Sequence, residues 1–90
     1  MITIANLMRF FYDHNIYVGS IDKTYDFDDN DEEYLAGYLV CFSNHDNRLV
    51  LPINVLMDLQ TICSNATIAI EQRGARECGK ELYMYIRITF

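Results

Sequence analysis

The 90-residue sequence predicts a single α+β domain over residues 1–90, an antiparallel sheet of about five strands with two helices packed on one face. Three observations favour this fold class. Two segments repeat apolar residues with the period of an amphipathic helix, and several others alternate with the period of a strand. The predicted elements follow in the order α-β-β-β-α-β-β, which suits helices segregated to one face of an antiparallel sheet.

The two predicted helices are defined by apolar residues at helical spacing. The first begins after Thr3, a favourable N-cap residue, and stops at Asn15, whereas the second follows Pro52 and closes at Ser64 and Asn65. The residues expected to face the core are Ile4, Leu7, Met8 and Phe11 in the first helix, and Val55, Leu56, Leu59, Ile62 and Cys63 in the second.

The predicted strands occupy the remaining apolar segments. The first covers Ile16 to about Ile21, with an extension through Tyr25 and Phe27 left open. The second, Tyr34 to Phe42, has apolar residues at both alternating sets of positions, hence on both faces of the strand, and is therefore expected at the centre of the sheet. The others are Arg48 to Leu51, Ala66 to Arg73, and a final strand in which Leu82, Met84, Ile86, Ile88 and Phe90 alternate with Tyr83, Tyr85 and Arg87.

Acidity is concentrated in one segment. The chain carries 13 acids and seven bases, a formal net charge of −6, and the twelve residues from Asp22 to Glu33 hold seven acids and one base. The other 78 residues hold six acids and six bases. Because affinity for nucleic acid depends on Lys and Arg that neutralise phosphates, the composition argues against direct binding to nucleic acid and to an anionic membrane.

The sequence also indicates a compartment. Its three cysteines show no paired spacing, and the N-terminal segment lacks the basic leader and uninterrupted apolar core of a signal peptide. The longest apolar run is about half as long as a membrane span. We therefore expect a reduced, cytoplasmic protein.

Several motifs resemble chemical sites but lack a necessary part. The segment from Gly74 to Lys80 matches the opening of a P-loop, yet Glu81 follows where Ser or Thr would hold magnesium. An EF-hand register that starts at Asp26 lacks its glycine and its final glutamate. Cys41 and His45 have no second close ligand pair for zinc. Because these motifs are incomplete, we expect no metal and no cofactor. Because neither histidine lies near a sequence-evident nucleophile, we also expect no catalytic residue and no enzyme activity.

The acidic run is the first candidate binding surface. If extended, Asp26 to Glu33 would span roughly 25 Å at about 3.3 Å per residue, the scale of phosphates along a nucleic-acid strand. The alternative is a solvated loop that keeps the protein soluble. In the binding interpretation the acids contact a basic partner and adjacent aromatic residues anchor it. The candidate partner-binding residues are Asp26, Asp28, Asp29, Asp31, Glu32, Glu33, Tyr25, Phe27 and Tyr34.

The outward face of the last predicted strand is a second candidate interface. It carries Tyr83, Tyr85 and Arg87, and Tyr and Arg are enriched at binding hot spots. This face predicts an alternative function, a self-associating structural or small-ligand-sensing module, for which a homodimer is the expected assembly.

In size, acidity and helix–sheet composition the chain resembles small phage-encoded anti-defence proteins, such as anti-CRISPR and anti-restriction inhibitors, and bacterial immunity proteins that neutralise nucleases. This resemblance implies an inhibitor that binds a basic, nucleic-acid-handling protein and mimics its phosphate ligand. It rests on overall profile, so it assigns no role to an individual residue.

Overall fold

The computed structural model describes residues 2–43, 51–74 and 82–90. Their elements are α1 (Ile4–Asp13), β1 (Ser20–Phe27), β2 (Glu33–Ser43), α2 (Ile53–Ile62), β3 (Thr67–Gly74) and β4 (Leu82–Thr89). The α+β class is confirmed. The predicted five strands are wrong for the described residues, which form four strands in the order α-β-β-α-β-β. Most of the additional strand predicted from Arg48 to Leu51 lies outside the described residues, and Leu51 itself is not in a strand.

The four strands form one antiparallel sheet in the order β1-β2-β4-β3. β2 lies inside the sheet, as its apolar pattern predicted, and it pairs with β1 on one side and β4 on the other. The first strand begins later than predicted, at Ser20, but its extension through Tyr25 and Phe27 is confirmed. One face of the sheet carries its buried side chains, Tyr38, Val40 and Phe42 from β2 and Ile86 and Ile88 from β4.

Helix α1 packs on this buried face. Its first turn is closed by a capping box, in which Asn6 N–H donates to the Thr3 hydroxyl at 3.1 Å and Thr3 N–H donates to the Asn6 side chain at 3.3 Å. The ring of Phe11 meets Phe42 of β2 edge-on, with centroids 5.4 Å apart. The predicted apolar face is partly wrong, because Met8 is 44% exposed whereas Leu7, Phe10 and Phe11 form the buried stripe.

Helix α2 contributes Val55 and Leu59 to the same core, and its C-cap residue Cys63 is buried there too. Pro52 precedes its first turn, where a residue without an N–H costs the helix no hydrogen bond. The predicted face was too wide, because Ile62 is 42% exposed and Leu56 only packs at the margin. The helix turns its narrow apolar stripe towards the sheet, so both helices cover one face and leave the other face of the sheet without a helix among the described residues.

The packing of α2 predicts that alanine substitution lowers stability by different amounts at Leu56 and Leu59. Leu59 is fully buried, so Leu59→Ala leaves a cavity and should lower the free energy of unfolding by about 2–5 kcal/mol. Leu56→Ala removes a half-buried side chain and should cost less than about 2 kcal/mol. Denaturant unfolding of both variants measures this difference. Equal losses, or a larger loss for Leu56→Ala, would contradict the observed orientation of the helix.

Candidate functional site: an acidic hairpin arm

The acidic residues lie on a two-stranded hairpin that extends beyond the four-stranded sheet. Pairing of β2 with β4 ends at Gly37 and Thr89, and Phe90 N–H donates to the Ala36 carbonyl at 2.9 Å. Beyond this point β1 and β2 pair only with each other. We call residues 25–35 the arm. It contains six acids and no base among eleven residues.

The arm places all nine predicted partner-binding residues on one structural unit. Tyr25, Asp26 and Phe27 end β1, the next four predicted acids lie in the turn, and Glu33 and Tyr34 begin β2. Every residue from 25 to 34 is exposed. The acidic run is not a single extended segment, however, because it folds back on itself and Phe27 pairs with Glu33. The spacing argument from an extended strand of phosphates therefore does not apply.

The turn is organised by the side chain of Asp28. Its carboxylate accepts hydrogen bonds from Asn30 N–H at 2.8 Å and from Glu32 N–H at 2.9 Å. The Asp28 carbonyl accepts from Asp31 N–H, and Asp28 N–H donates to the Glu32 carbonyl, both at 3.0 Å. Asp31 has a φ of 58°, in the left-handed region. This is the geometry of a three-residue hairpin loop, a conformation that Asp tolerates better than most residues.

The acids at the tip are not neutralised within the described structure. In residues 2–43, 51–74 and 82–90, no hydrogen bond or ion pair engages the side chains of Asp29, Asp31, Glu32 or Glu33. The Asp28 carboxylate is instead engaged by the turn itself. Four carboxylates of the tip thus have no countercharge among the described residues, and together they create a negative potential that attracts a basic surface.

The aromatic residues of the arm divide between its two faces. Tyr25 pairs with Leu35 and Phe27 follows two residues later, so these three share one face. Tyr34 pairs with Asp26 on the opposite face. Phe27 is 62% exposed, Tyr25 53% and Tyr34 48%. The structure brings Tyr25 and Phe27 together as predicted anchors but separates Tyr34 from them.

A β-bulge sets this division of faces. Thr24 pairs with Gly37 and Tyr25 pairs with Leu35, so Ala36 is the extra residue on β2. The bulge reverses the alternation of β2, and it places Leu35 on the core side of the sheet, where it packs against the margin of the core. Leu35 was not predicted to belong to the arm's apolar face, because a bulge leaves no clear mark in an uninterrupted apolar run.

The second candidate interface lies on the helix-free face of the sheet. Tyr85 and Arg87 of β4 are half-buried there, opposite in direction to the buried Ile86 and Ile88. The Arg87 guanidinium donates to both oxygens of Glu71, at 2.9 and 3.4 Å, and this contact raises the pKa of Arg87 above its ordinary value. Tyr83 pairs through its backbone with Ser43 and Arg73, and its side chain lies outside the described structure.

The described residues offer little that resembles a catalytic or metal site. Within them, no group of three or more His, Cys, Asp and Glu side chains is placed to hold a metal ion. Cys63 is buried, and burial raises the pKa of its thiol, which lowers the fraction of nucleophilic thiolate. His45, Cys78 and most of the P-loop-like segment lie outside the described residues. Neither described helix is long and apolar enough to cross a membrane.

Comparison with known proteins identifies no relative. No protein-family model, curated protein or solved structure matches this chain significantly.

The left-handed conformation of Asp31 predicts that a glycine substitution there stabilises the arm. Asp31→Gly removes the steric cost of the positive φ and should slow hydrogen exchange of the arm's cross-strand amides by about two- to fivefold, or about 0.5–1 kcal/mol. Asp29→Gly removes the same charge at a position without a positive φ, and it should speed exchange. Equal effects of the two variants would contradict the assigned turn.

Proposed function

We propose that this protein is a small inhibitor that acts by occupancy, and that its arm docks on a basic surface of a nucleic-acid-handling protein. The observation that carries the proposal is the arm itself, a projecting hairpin that combines exposed aromatic side chains with carboxylates that no described residue neutralises. We infer no catalysis and no direct contact with nucleic acid. The partner's own Lys and Arg residues, which otherwise bind phosphate, are the expected contacts.

The distribution of charge supports this mode of binding. The arm holds six of the 13 acids, so the other 79 residues hold seven acids and seven bases and carry no net charge. The negative electrostatic potential that a partner encounters is therefore centred on the arm and is not spread over the whole surface. Such a field speeds encounter with a basic groove and selects it over neutral surfaces, and the rate falls as salt rises.

The exposed aromatics support a second, shorter-range contribution. Tyr25 and Phe27 lie side by side on one face of the arm, where they offer a large apolar area next to the carboxylates. Aromatic rings bury well at interfaces, and their faces also attract Arg guanidinium groups. In this proposal the acids govern association and the two rings slow dissociation.

The proposal also covers the class of inhibitor, the compartment and an alternative function. A competitor of phosphate fits the role of a phage anti-defence inhibitor, of the anti-CRISPR or anti-restriction kind, or of a nuclease-immunity protein. A location in a reducing cytoplasm is part of the proposal, because the three cysteines show no paired spacing along the sequence. The alternative function is a self-associating structural or small-ligand-sensing module, favoured by the sheet face around Tyr85 and Arg87, which neither described helix covers.

A matched pair of charge variants tests the proposal. Asp29→Asn with Asp31→Asn removes two charges from the arm tip, and Asn tolerates the positive φ at residue 31. Asp13→Asn with Asp22→Asn removes the same charge outside the arm. Each protein is used to capture partners from lysate of the producing cell and its relatives, at low and moderate salt, and captured proteins are challenged with a nucleic-acid duplex.

The expected result is a basic partner that the duplex displaces. The arm variant should bind it roughly tenfold more weakly at low salt, with a flatter salt dependence, while the Asp13/Asp22 variant should behave like the wild type. Equal binding by both variants, or a captured partner that the duplex does not displace, would overturn the proposal. Recovery of the protein alone, equally with every variant, would favour self-association.

A further inference from the structure

His14 joins the end of α1 to α2 through both nitrogens of its ring. Nδ1 lies 2.8 Å from the Phe10 carbonyl oxygen, and Nε2 lies 3.2 Å from Oδ2 of Asp58 on α2. A carbonyl and an ionised carboxylate only accept hydrogen bonds, so each contact requires an N–H on the ring. Neutral imidazole has one N–H and imidazolium has two. Only the protonated form of His14 can therefore donate to both partners.

The surroundings of the ring favour the protonated form. Within the described part of the chain, the charged groups that act on it are the carboxylates of Asp58 on α2 and Asp13 on α1. His14 is also the C-cap residue of α1, where the helix dipole favours a positive charge. The hydrogen bond to Phe10, followed by the one to Asp58, raises the pKa of His14 above its ordinary 6.5, against a smaller opposing effect of desolvation.

The contact also lies beside a cleft between the helices. The ring of His14 stacks on Phe10 with centroids 4.2 Å apart, and Phe10 lines a cleft of about 490 Å³ together with Ile62 of α2. His14 is one helical turn beyond Phe10, and Asp58 is one turn before Ile62. Breaking the His14–Asp58 contact would therefore loosen the two helices at the border of this cleft.

We propose that His14 and Asp58 form a pH-sensitive latch, which holds the end of α1 against α2 while His14 is protonated and weakens when His14 loses its proton. The latch is independent of the arm, because neither residue belongs to it. Since folding raises the pKa of His14, its stabilising contribution is fully present below 6.5 and is lost as the pH rises through the folded-state pKa.

Titration of the His14 ring by NMR, with Asp58→Asn as the test variant, measures the latch. Asp58 is more than half exposed, so Asn is tolerated there and keeps the size of the side chain while removing its charge. Asp29→Asn on the arm is the control for the change in net charge. His45→Gln identifies which of the two histidine signals belongs to His14. Amide hydrogen exchange in the last turn of α1 and in α2 is followed across the same pH range.

The expected midpoint for His14 lies above 6.5 in the wild type, falls in Asp58→Asn and stays unchanged in Asp29→Asn. After correction for the intrinsic pH dependence of exchange, protection of α1 and α2 should drop through that midpoint in the wild type, and the drop should be smaller in Asp58→Asn. A His14 midpoint that Asp58→Asn does not lower would overturn the latch. So would protection that does not change as His14 titrates.

Discussion

The close approach of two backbones at Gly37 is the constraint on which the sheet and the arm both depend. A Cβ at this position would collide with the carbonyl oxygen of Ile88 on β4, so only glycine allows β2 and β4 to pair this closely. The bulge at Ala36 lies immediately beside it, and the β2–β4 ladder ends there. From this point outward, among the described strands, the hairpin has only its own two strands, so residues 25–34 are exposed on both faces, whereas the sheet buries the side chains of one face under the helices.

This boundary separates stability from the proposed binding function. The core consists of residues from α1, α2 and the inner face of the sheet, together with Val18, and the arm contributes only Leu35 at its margin. Repulsion among the arm's carboxylates therefore costs the core little, because exposed charges interact weakly through water. A domain of this size has a small margin of stability, so placing the acids beyond the sheet lets it carry a strong local charge.

The helices and the inner strand could be predicted from the sequence more accurately than the way in which they pack and pair. Both helices, the Thr3 cap and the inner position of β2 follow from local periodicity and capping, which act over a few residues. The apolar faces were less accurate: α1 buries Phe10 and not Met8, because packing against Phe42 selects the face. The hairpin form of the acidic run depends on the Asp28 turn and on pairing with β2, and no pattern in the run distinguishes that pairing from an extended segment. The His14–Asp58 contact joins residues 44 positions apart, a relation that periodicity does not contain.

If the arm binds the partner and the rest of the domain folds without it, a shortened arm should abolish binding and leave folding intact. Replacing residues 27–33 with Asn-Gly would close the hairpin at the paired residues Asp26 and Tyr34 with a favourable two-residue turn. The shortened protein should keep its cooperative unfolding, with a free energy of unfolding within about 1 kcal/mol of the wild type. It should no longer capture the basic partner. A shortened protein that fails to fold, or that binds the same partner with unchanged affinity, would contradict this division between arm and core.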